Sequence, residues 1–580
     1  MINRNATPGS RPVHAAIPFL LLVLAAFPAQ AQTSALPDRL PANTIFYAYW
    51  LGMGSLTKAE KTNHVVQLFE DPQFALGRDA LLKNFRNSIA KNGPATSEPE
   101  TAEVLSLLDN PAVIGIVLNP APAKTAAADK APPPVGFFVV YDVHGKTAIV
   151  EKLRAANSAS GKEVPTVMSY DFHGTKVEAR ATGTDVSYTA LTPKHYFLAD
   201  QKAVIEDLIA RFGAAENPAD SVTRIPEYKA IRAFVSSDAS VEYFARIPDL
   251  SKSLSPEQLD KPGVKVAMNL HLDRVHVFGG SISFAGEATR FRGAVLGDTS
   301  AGTIFDVAGA SGTSFVTWPV VSAGPIFGIS RFNFPAIYQL LRAAALPVLP
   351  PQQAASVEMS EKMAQGFLGM PVSDALQLFT GELASQTAFA DDGSSLKTYA
   401  VSIQKPQDVL RILRAVGGGF IVGEDTSGDT TFLDLVYPYT DPATGQKRRD
   451  FYYVAVTPTM LFAAPRKAAV REAMARLNAK TDAAKAVGNF SSPEFSSLRS
   501  LLPEKLSGLS AIAIAQIPWD KLLSREAQQM ADAAKSSNSP PPSTDWLKAI
   551  KPEVLTRHLH FGVSGWWKDS SGIYFDSYVQ

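Results

Sequence analysis

The chain has 580 residues, of which 46% are hydrophobic, 19% charged and 9% aromatic, a composition typical of globular proteins. Its 55 basic side chains balance its 55 acidic ones, which argues against a nucleic-acid-binding protein and against a polybasic membrane-surface protein. Because the sequence contains no cysteine, disulfide scaffolds, thiolate metal sites and cysteine nucleophiles are excluded.

The first 31 residues have the pattern of a secretory signal. Arg4 and Arg11 are basic, residues 17–27 form a short apolar run, and Ala29-Gln30-Ala31 offers a small-x-small cleavage site. We expect cleavage after Ala31 and a periplasmic or secreted mature protein. The alternative is an uncleaved N-terminal anchor, although the run is shorter than the roughly 20 residues that a spanning helix needs. No later stretch predicts a transmembrane span.

The mature chain opens with a predicted strand over residues 44–50, followed by a helix. Asp71 and Pro72 predict the start of that helix, because aspartate is a good N-cap and proline is favoured at the first helical position. An apolar stripe over residues 82–89 extends it.

The middle of the first half predicts a hairpin between two helices. The elements are a strand over 137–143, a helix over 146–157, hairpin strands around 176–180 and over 186–198, and a helix over 202–212. Thr192 and Pro193 interrupt the second hairpin strand, as a turn or an edge position requires, since proline cannot donate to a sheet ladder.

The sequence repeats itself. Residues 187–212 align without a gap on residues 452–477, and ten of the 26 aligned pairs are identical. Shorter matches keep the same order along the chain, with a slowly growing offset, as a tandem duplication with small insertions predicts. We therefore predict two repeat units, over residues 32–297 and 298–580. The identical pairs include Thr192 with Thr457, Pro193 with Pro458, and Phe197 with Phe462.

The order of elements favours an α+β fold class. Strands that pair with their sequence neighbours, with helices between the hairpins, predict two duplicated units with mainly antiparallel sheets and packed helices. The second unit is expected to end in a hairpin from His558 to Trp567 and from Ile573 to Val579. Residues 120–134 and 536–544 are interpreted as solvated insertions because of their composition.

The familiar catalytic motifs are weak or missing. Ser-x-x-Lys occurs at Ser55 with Lys58 and at Ser394 with Lys397, but without the partner motifs of penicillin-recognising enzymes, so a solvated surface is favoured. Gly145-Lys146-Thr147 lacks the first glycine of a phosphate loop. The basic run at residues 447–449 is interpreted as a solvated hairpin tip.

His558 and His560 are the only candidates for a metal site. At spacing i, i+2 on a strand they would share one face and could chelate a metal with a third ligand from elsewhere. The competing interpretation, a polar sheet face, is favoured because Val275 and Val277 occupy the corresponding positions of the first repeat. The sequence accordingly predicts no catalytic residue and no cofactor.

Four short segments resemble exported bacterial proteins of about this length that are classed as domains of unknown function. They are Leu40-Pro41-Ala42-Asn43-Thr44-Ile45-Phe46-Tyr47, the Asp71-Pro72 helix start, Leu378-Phe379-Thr380-Gly381-Glu382-Leu383, and the hairpins around Thr192-Pro193 and Thr457-Pro458. The resemblance implies no catalytic residues.

Duplication without a catalytic constellation favours a non-catalytic exported protein whose sheets act as a binding or assembly scaffold in the envelope, with a protein partner. A carrier of an apolar ligand or lipid is the alternative, because the strands are rich in Phe and Trp. A hydrolase with a site assembled from distant residues is a weaker alternative. A pocket lined by Phe, Leu and Trp would favour the carrier, and a flat apolar patch would favour the scaffold.

Overall fold

The computed structural model of the chain describes residues 36–53, 60–77, 103, 106–119, 135–152, 166–182, 185–235, 239–252, 254, 256–284, 286–300, 302–321, 324–440, 447–478, 490, 492–537 and 550–580. The predicted signal and the insertion at 120–134 lie outside these residues. Contacts divide the chain into two compact units. Unit 1 comprises Met1–Asp249 and Gly279–Phe291, and unit 2 comprises Leu250–Phe278 and Arg292–Gln580. The predicted boundary between the two repeats, after Gly297, is a statement about sequence duplication and not about contacts. It stays a prediction.

Unit 1 contains an antiparallel sheet in the order β4-β5-β6-β7-β3-β2-β1-β8. Two further strands, β9 and β10, have residues in both units. The strands are β1 Thr44–Trp50, β2 Ala112–Leu118, β3 Val135–Asp142, β4 Thr166–Phe172, β5 Thr175–Thr182, β6 Asp185–Leu191, β7 His195–Ala199, β8 Val241–Arg246, β9 Val275–Ser283 and β10 Thr289–Gly297.

Two helical segments of unit 1 begin at side-chain caps, Asn63 and Asp71. The helices are α1 His64–Glu70, α2 Lys202–Gly213, α3 Pro226–Arg232 and α4 Ile247–Lys252, which ends in unit 2. The Asn63 side chain accepts hydrogen bonds from the Val65 and Val66 N–H groups at the start of α1. Asp71 Oδ1 accepts from the Gln73 N–H at 2.8 Å, which confirms the predicted helix start, and residues 72–77 are helical. The apolar stripe at 82–89 lies outside the described residues.

The core of unit 1 lies between the sheet and α2. This helix buries side chains at spacings of one, three and four residues, which form a single helical face. They are Val204, Ile205, Leu208, Ile209 and Phe212. The sheet contributes fully buried aromatic rings, including Tyr47, Phe138, Phe197 and Phe244. Burial of this aromatic and aliphatic surface is the main stabilising contribution to the unit.

The buried carboxylate of Glu242 joins β8 to α3 through an ion pair and to β1 through a hydrogen bond. Glu242 is 6% exposed; its Oε1 accepts a hydrogen bond from the Tyr47 hydroxyl, and its Oε2 accepts one from Arg232 Nη1 at 2.7 Å. A carboxylate removed from water in this way needs such partners, because an unpaired buried charge is strongly destabilising.

Two tyrosines of β1 and β8 make the stability of unit 1 sensitive to alkaline pH. Burial and then the Glu242 charge raise the pKa of Tyr47 well above its usual value near 10, and burial raises the pKa of Tyr243 to about 12. The folded state therefore keeps protons that the unfolded state releases above pH 10. We expect the free energy of unfolding to fall there by about 1.4 kcal/mol per pH unit for each such tyrosine. Urea unfolding followed between about pH 9 and 11, with tyrosinate absorbance recorded in parallel, checks this; an unchanged midpoint would contradict it.

Unit 2 contains an antiparallel sheet in the order β14-β15-β16-β17-β13-β12-β11-β18-β19-β20. Its strands are β11 Ile326–Arg331, β12 Phe379–Phe389, β13 Ser395–Ile403, β14 Ile421–Ser427, β15 Thr430–Thr440, β16 Lys447–Val456, β17 Met460–Ala464, β18 Gly508–Ala513, β19 Phe561–Lys568 and β20 Gly572–Val579. The predicted α+β class with antiparallel sheets is confirmed.

The described residues of unit 2 also form helices. They are α5 Pro256–Leu259, α6 Pro262–Asn269, α7 Trp318–Val321, α8 Phe334–Ala345, α9 Pro351–Leu368, α10 Val372–Gln377, α11 Pro406–Gly417, α12 Lys467–Asn478, α13 Pro493–Ser500, α14 Trp519–Ser537 and α15 Pro552–His558. One core cluster joins Val409 and Leu410 of α11 to Leu433 of β15 and Val454 of β16. No described helix is both long and apolar enough to cross a membrane.

The strands of the two units repeat one pairing pattern around Phe197 and Phe462, which the sequence alignment equates. Val140 pairs with Phe197 in unit 1, and Ala400 pairs with Phe462 in unit 2. The turns match as well, because the Thr192 hydroxyl accepts from the His195 N–H at 2.9 Å and the Thr457 hydroxyl accepts from the Met460 N–H at 3.0 Å. A tandem duplication predicts such matched registers.

The start of the last hairpin was predicted wrongly. Residues 552–558 form α15, and β19 begins only at Phe561. Pro552 occupies the first helical position, where its fixed φ favours a helix, and the Leu559 N–H closes the last turn on the Leu555 carbonyl. In the first half, the long strand predicted over 186–198 divides into β6 and β7 at the interruption expected from Thr192 and Pro193.

Candidate functional site

A partly open cleft of about 530 Å³ lies in unit 1. Three segments line it: the turn between β4 and β5 at His173, the turn between β6 and β7 at Thr192 to His195, and the last turn of α2. The floor carries apolar side chains, among them Phe197, Ile209 and Phe212. The cleft has the size of a small-molecule site.

The β6–β7 turn holds His195 in place. The Thr192 hydroxyl accepts from the His195 N–H and donates to the His195 carbonyl at 3.1 Å, while the Thr192 N–H donates to the same carbonyl. Pro193 restricts the intervening backbone. The Thr192 hydroxyl is thereby committed to the turn rather than to the cleft.

The His195 ring packs between two phenylalanine rings. Its centroid lies 5.0 Å from that of Phe212 and 5.9 Å from that of Phe197. Burial lowers the pKa of His195, against an opposing effect of the Asp142 carboxylate and with small further lowering by Lys194 and Arg39. The ring is therefore neutral at pH 7, with one nitrogen that donates and one that accepts. No described residue is hydrogen-bonded to either nitrogen.

Arg39 donates to carbonyl groups at the end of α2 that faces the cleft, and Arg211 pairs with two nearby carboxylates. Arg39 Nη1 donates to the Arg211 carbonyl at 2.6 Å and to the Ala214 carbonyl at 2.8 Å. The Arg211 guanidinium in turn holds Asp207 at 2.8 Å and Asp220 at 2.5 Å. These contacts offset the negative pole of the helix end and occupy both nearby carboxylates.

The rim of the cleft carries one lysine. Lys194 and His173 are exposed at its edges, and none of the lining residues is acidic. Two carboxylates lie beside the lining segments. Asp142 of β3 is opposite His195 and accepts from the His144 N–H at 2.8 Å. Asp171 of β4 accepts from the Gly174 N–H at 3.0 Å.

The corresponding turn of unit 2 lacks the imidazole. The alignment places Met460 opposite His195 and Thr459 opposite Lys194, and Met460 is 1% exposed. The sequence alignment contains this difference but does not predict the cleft, because the cleft is formed by two turns and a helix end that are separated along the chain. The signal that could have found it is the replacement of a buried Met by a polar His within an otherwise matched turn.

The structure does not support the strand geometry on which the His558 and His560 metal hypothesis rested. His558 ends α15, whereas His560 lies in the extended segment before β19. Two imidazoles separated by a helix end do not share a strand face. Within the described ranges, no three His, Asp or Glu side chains are grouped so that they could hold a metal.

The other sequence motifs fall on surface turns and strands. Ser55 and Lys58 lie outside the described residues. Ser394 lies in a turn and Lys397 on β13, so they are not one helical turn apart as the nucleophile interpretation requires. Lys146 Nζ pairs with Asp109 Oδ2 at 3.2 Å.

The basic run at 447–449 begins β16 opposite the end of β15, and the tip at 441–446 lies outside the described residues.

The outer strands of the two sheets differ in character. β4 pairs with β5 and β14 pairs with β15, and no other described strand pairs with either of them. On β4, Val167 and Met168 are 53% and 61% exposed. On β14, the register slips between Ile421 and Gly423, and two acidic residues follow.

No protein-family model, curated protein or solved structure matches the chain.

Proposed function

We propose that this protein is a non-catalytic assembly protein, exported to the cell envelope, which associates with a second copy of itself through the outer edge of β4. The observation that carries the proposal is that β4 is an edge strand among those that the structure describes, with a single charged side chain. Such an edge presents unpaired backbone N–H and C=O groups to any strand that can reach it.

The sequence of β4 contains little of the usual protection of an edge. Thr166–Phe172 includes no lysine, arginine, proline or glycine, and its only charge is Asp171. Natural edge strands are commonly interrupted by bulges or carry charges that oppose pairing. β14 does both, with its slipped register and with Glu424 and Asp425. The contrast supports selection for pairing at β4 and against it at β14.

One face of β4, the face that carries Met168 and Tyr170, is also self-complementary. Antiparallel pairing about Ser169 would place Met168 opposite Tyr170 of the second copy, and Thr166 opposite Phe172 of the second copy. Aromatic side chains opposite aliphatic or β-branched ones stabilise antiparallel pairs. Because a twofold axis repeats each pair, a second copy is the occupant that this strand fits best.

Met168→Lys is expected to abolish the association. A lysine at this position would set like charges near each other across the twofold axis and add an edge charge that opposes pairing. Sedimentation equilibrium of the full chain over a concentration series should give a dimer dissociation constant at least about tenfold higher for the variant.

Val422→Lys on β14 is the matched control, since Val422 is 66% exposed on the corresponding edge strand. It should leave the dissociation constant unchanged. A monomeric wild-type chain, or equal effects of the two substitutions, would contradict the proposal.

The cleft favours a second candidate function, the carrier of an apolar ligand. Its floor of Phe197, Ile209 and Phe212 would receive the apolar part of such a ligand. Native mass spectrometry of the full chain tests this, because a carrier retains a stoichiometric extra mass that denaturation releases. A bare polypeptide mass from a source that contains the ligand would argue for the assembly role alone.

A further inference from the structure

We infer that the cleft of unit 1 binds a small amphipathic carboxylate, whose anionic end contacts Lys194 and His195 and whose apolar end packs on Ile209 and Phe212. The inference rests on the carrier function and names its class of ligand. It is independent of association through β4.

The shape of the cleft separates a polar rim from an apolar floor. Ile209 and Phe212 lie on the buried face of α2, whereas Lys194 is exposed at the tip of the β6–β7 turn. His195 stands between the two regions, with its ring against Phe212 and its nitrogens available to a ligand. A ligand that fills both regions must be amphipathic.

The charges around the cleft favour an anion over a cation. No lining residue is acidic, and the nearby Asp207 and Asp220 are held by Arg211. Arg39 caps the carbonyls at the end of α2, which would otherwise attract a cation. Two further described carboxylates accept backbone hydrogen bonds in their own turns: Asp142, opposite His195, accepts from the His144 N–H, and Asp171, beside the β4–β5 turn, accepts from the Gly174 N–H. Lys194 makes no ion pair with a described residue.

The hydrogen-bonding groups favour a carboxylate in particular. The neutral His195 ring donates one hydrogen bond, and the Lys194 ammonium donates up to three. A carboxylate accepts from both and gains a charge-assisted contact with the lysine. An alcohol of the same shape keeps the bond to His195 but not the charge pairing, and an amine is repelled by Lys194. The expected order of affinity is therefore carboxylate, alcohol, amine.

Isothermal titration calorimetry of the full chain tests this order with three probes of one skeleton: 3-phenylpropionate, 3-phenylpropanol and 3-phenylpropylamine. At neutral pH we expect the carboxylate to bind at least about tenfold more tightly than the alcohol, since one charge-assisted contact distinguishes them. Equal affinities for carboxylate and alcohol, or no binding of the carboxylate, would overturn the inference.

Two substitutions locate the binding to this cleft. Lys194→Gln should weaken binding of the carboxylate by about tenfold and leave binding of the alcohol nearly unchanged, because only the charge is lost. His195→Met introduces the residue that unit 2 carries at the matched turn and should weaken both probes. Thr459→Gln, at the position of unit 2 that matches Lys194, is the control and should change neither affinity. Carboxylate binding that survives both unit 1 substitutions would overturn the assignment.

The calorimetry and the native mass measurement together distinguish failure of the carboxylate inference from failure of the carrier function. A retained neutral ligand without carboxylate binding would keep the carrier function and overturn the carboxylate inference. A bare polypeptide mass without carboxylate binding would overturn both.

Discussion

Glu242→Ala should lower the free energy of unfolding of unit 1 by about 3 kcal/mol, the lower end of the range for breaking a buried ion pair, because the Arg232 side chain is 31% exposed. The Tyr47 hydroxyl would lose its carboxylate acceptor inside the core, and Arg232 would lose its 2.7 Å contact. The substitution also leaves space beside the stacked rings of Tyr47 and Phe244, whose centroids are 5.7 Å apart. Urea unfolding combined with hydrogen exchange of β1 and β8 measures the effect and locates it.

An exposed ion pair provides the matched control. Glu424 contacts Arg414 at 2.5 Å with both side chains more than a third exposed, so Glu424→Ala should cost less than about 1 kcal/mol. If the two glutamate substitutions cost the same, the burial of Glu242 would not be the source of its contribution. Loss of exchange protection outside unit 1 in the Glu242 variant would likewise contradict the assignment.

Gly52→Ala should lower the free energy of unfolding by about 3 kcal/mol or more, from backbone strain and a backbone clash together. Gly52 follows β1 with a φ of +98°, where a side chain is strained, and a Cβ there would lie 2.3 Å from the Asp109 carbonyl oxygen. That oxygen belongs to the backbone of a 3-10 turn, Leu107–Asp109, and cannot rotate away as a side chain could. Urea unfolding of the purified variant gives the size of the loss.

Gly145→Ala separates the two causes of that loss. Gly145 also has a positive φ, +68°, but nothing lies within 4 Å of the position that a Cβ would take. We expect a loss of about 1 kcal/mol, from the left-handed backbone alone. A loss at Gly145 equal to that at Gly52 would show that strain, rather than the contact with Asp109, accounts for both.

The sequence predicted those parts of the fold that depend on local pattern. Asp71 and Pro72 start a helix because a short polar side chain and a fixed φ act within one turn. Thr192 and Pro193 end a strand for equally local reasons. The prediction that a strand begins at His558 was wrong, because a seven-residue helix that starts at Pro552 includes His558. The alternating pattern of the strand continues into the end of that helix. Periodicity alone does not decide between them over so short a stretch.

The candidate sites depended on contacts that no local pattern contains. Glu242 reaches Tyr47 across 195 residues, and the cleft joins two turns to the end of α2. Neither set of residues is adjacent in sequence. The single charge of β4 is visible in its composition, but only the pairing order identifies β4 as the outermost strand among the described ones.

The position of β1 has a consequence for the kinetics of folding. β1 lies inside its sheet, between β2 and β8, and its partner Val241–Arg246 is made almost 200 residues later. Closing so large a loop is entropically costly, and proteins dominated by such distant pairings fold slowly. The nascent chain therefore cannot complete its first sheet until β8 has left the ribosome.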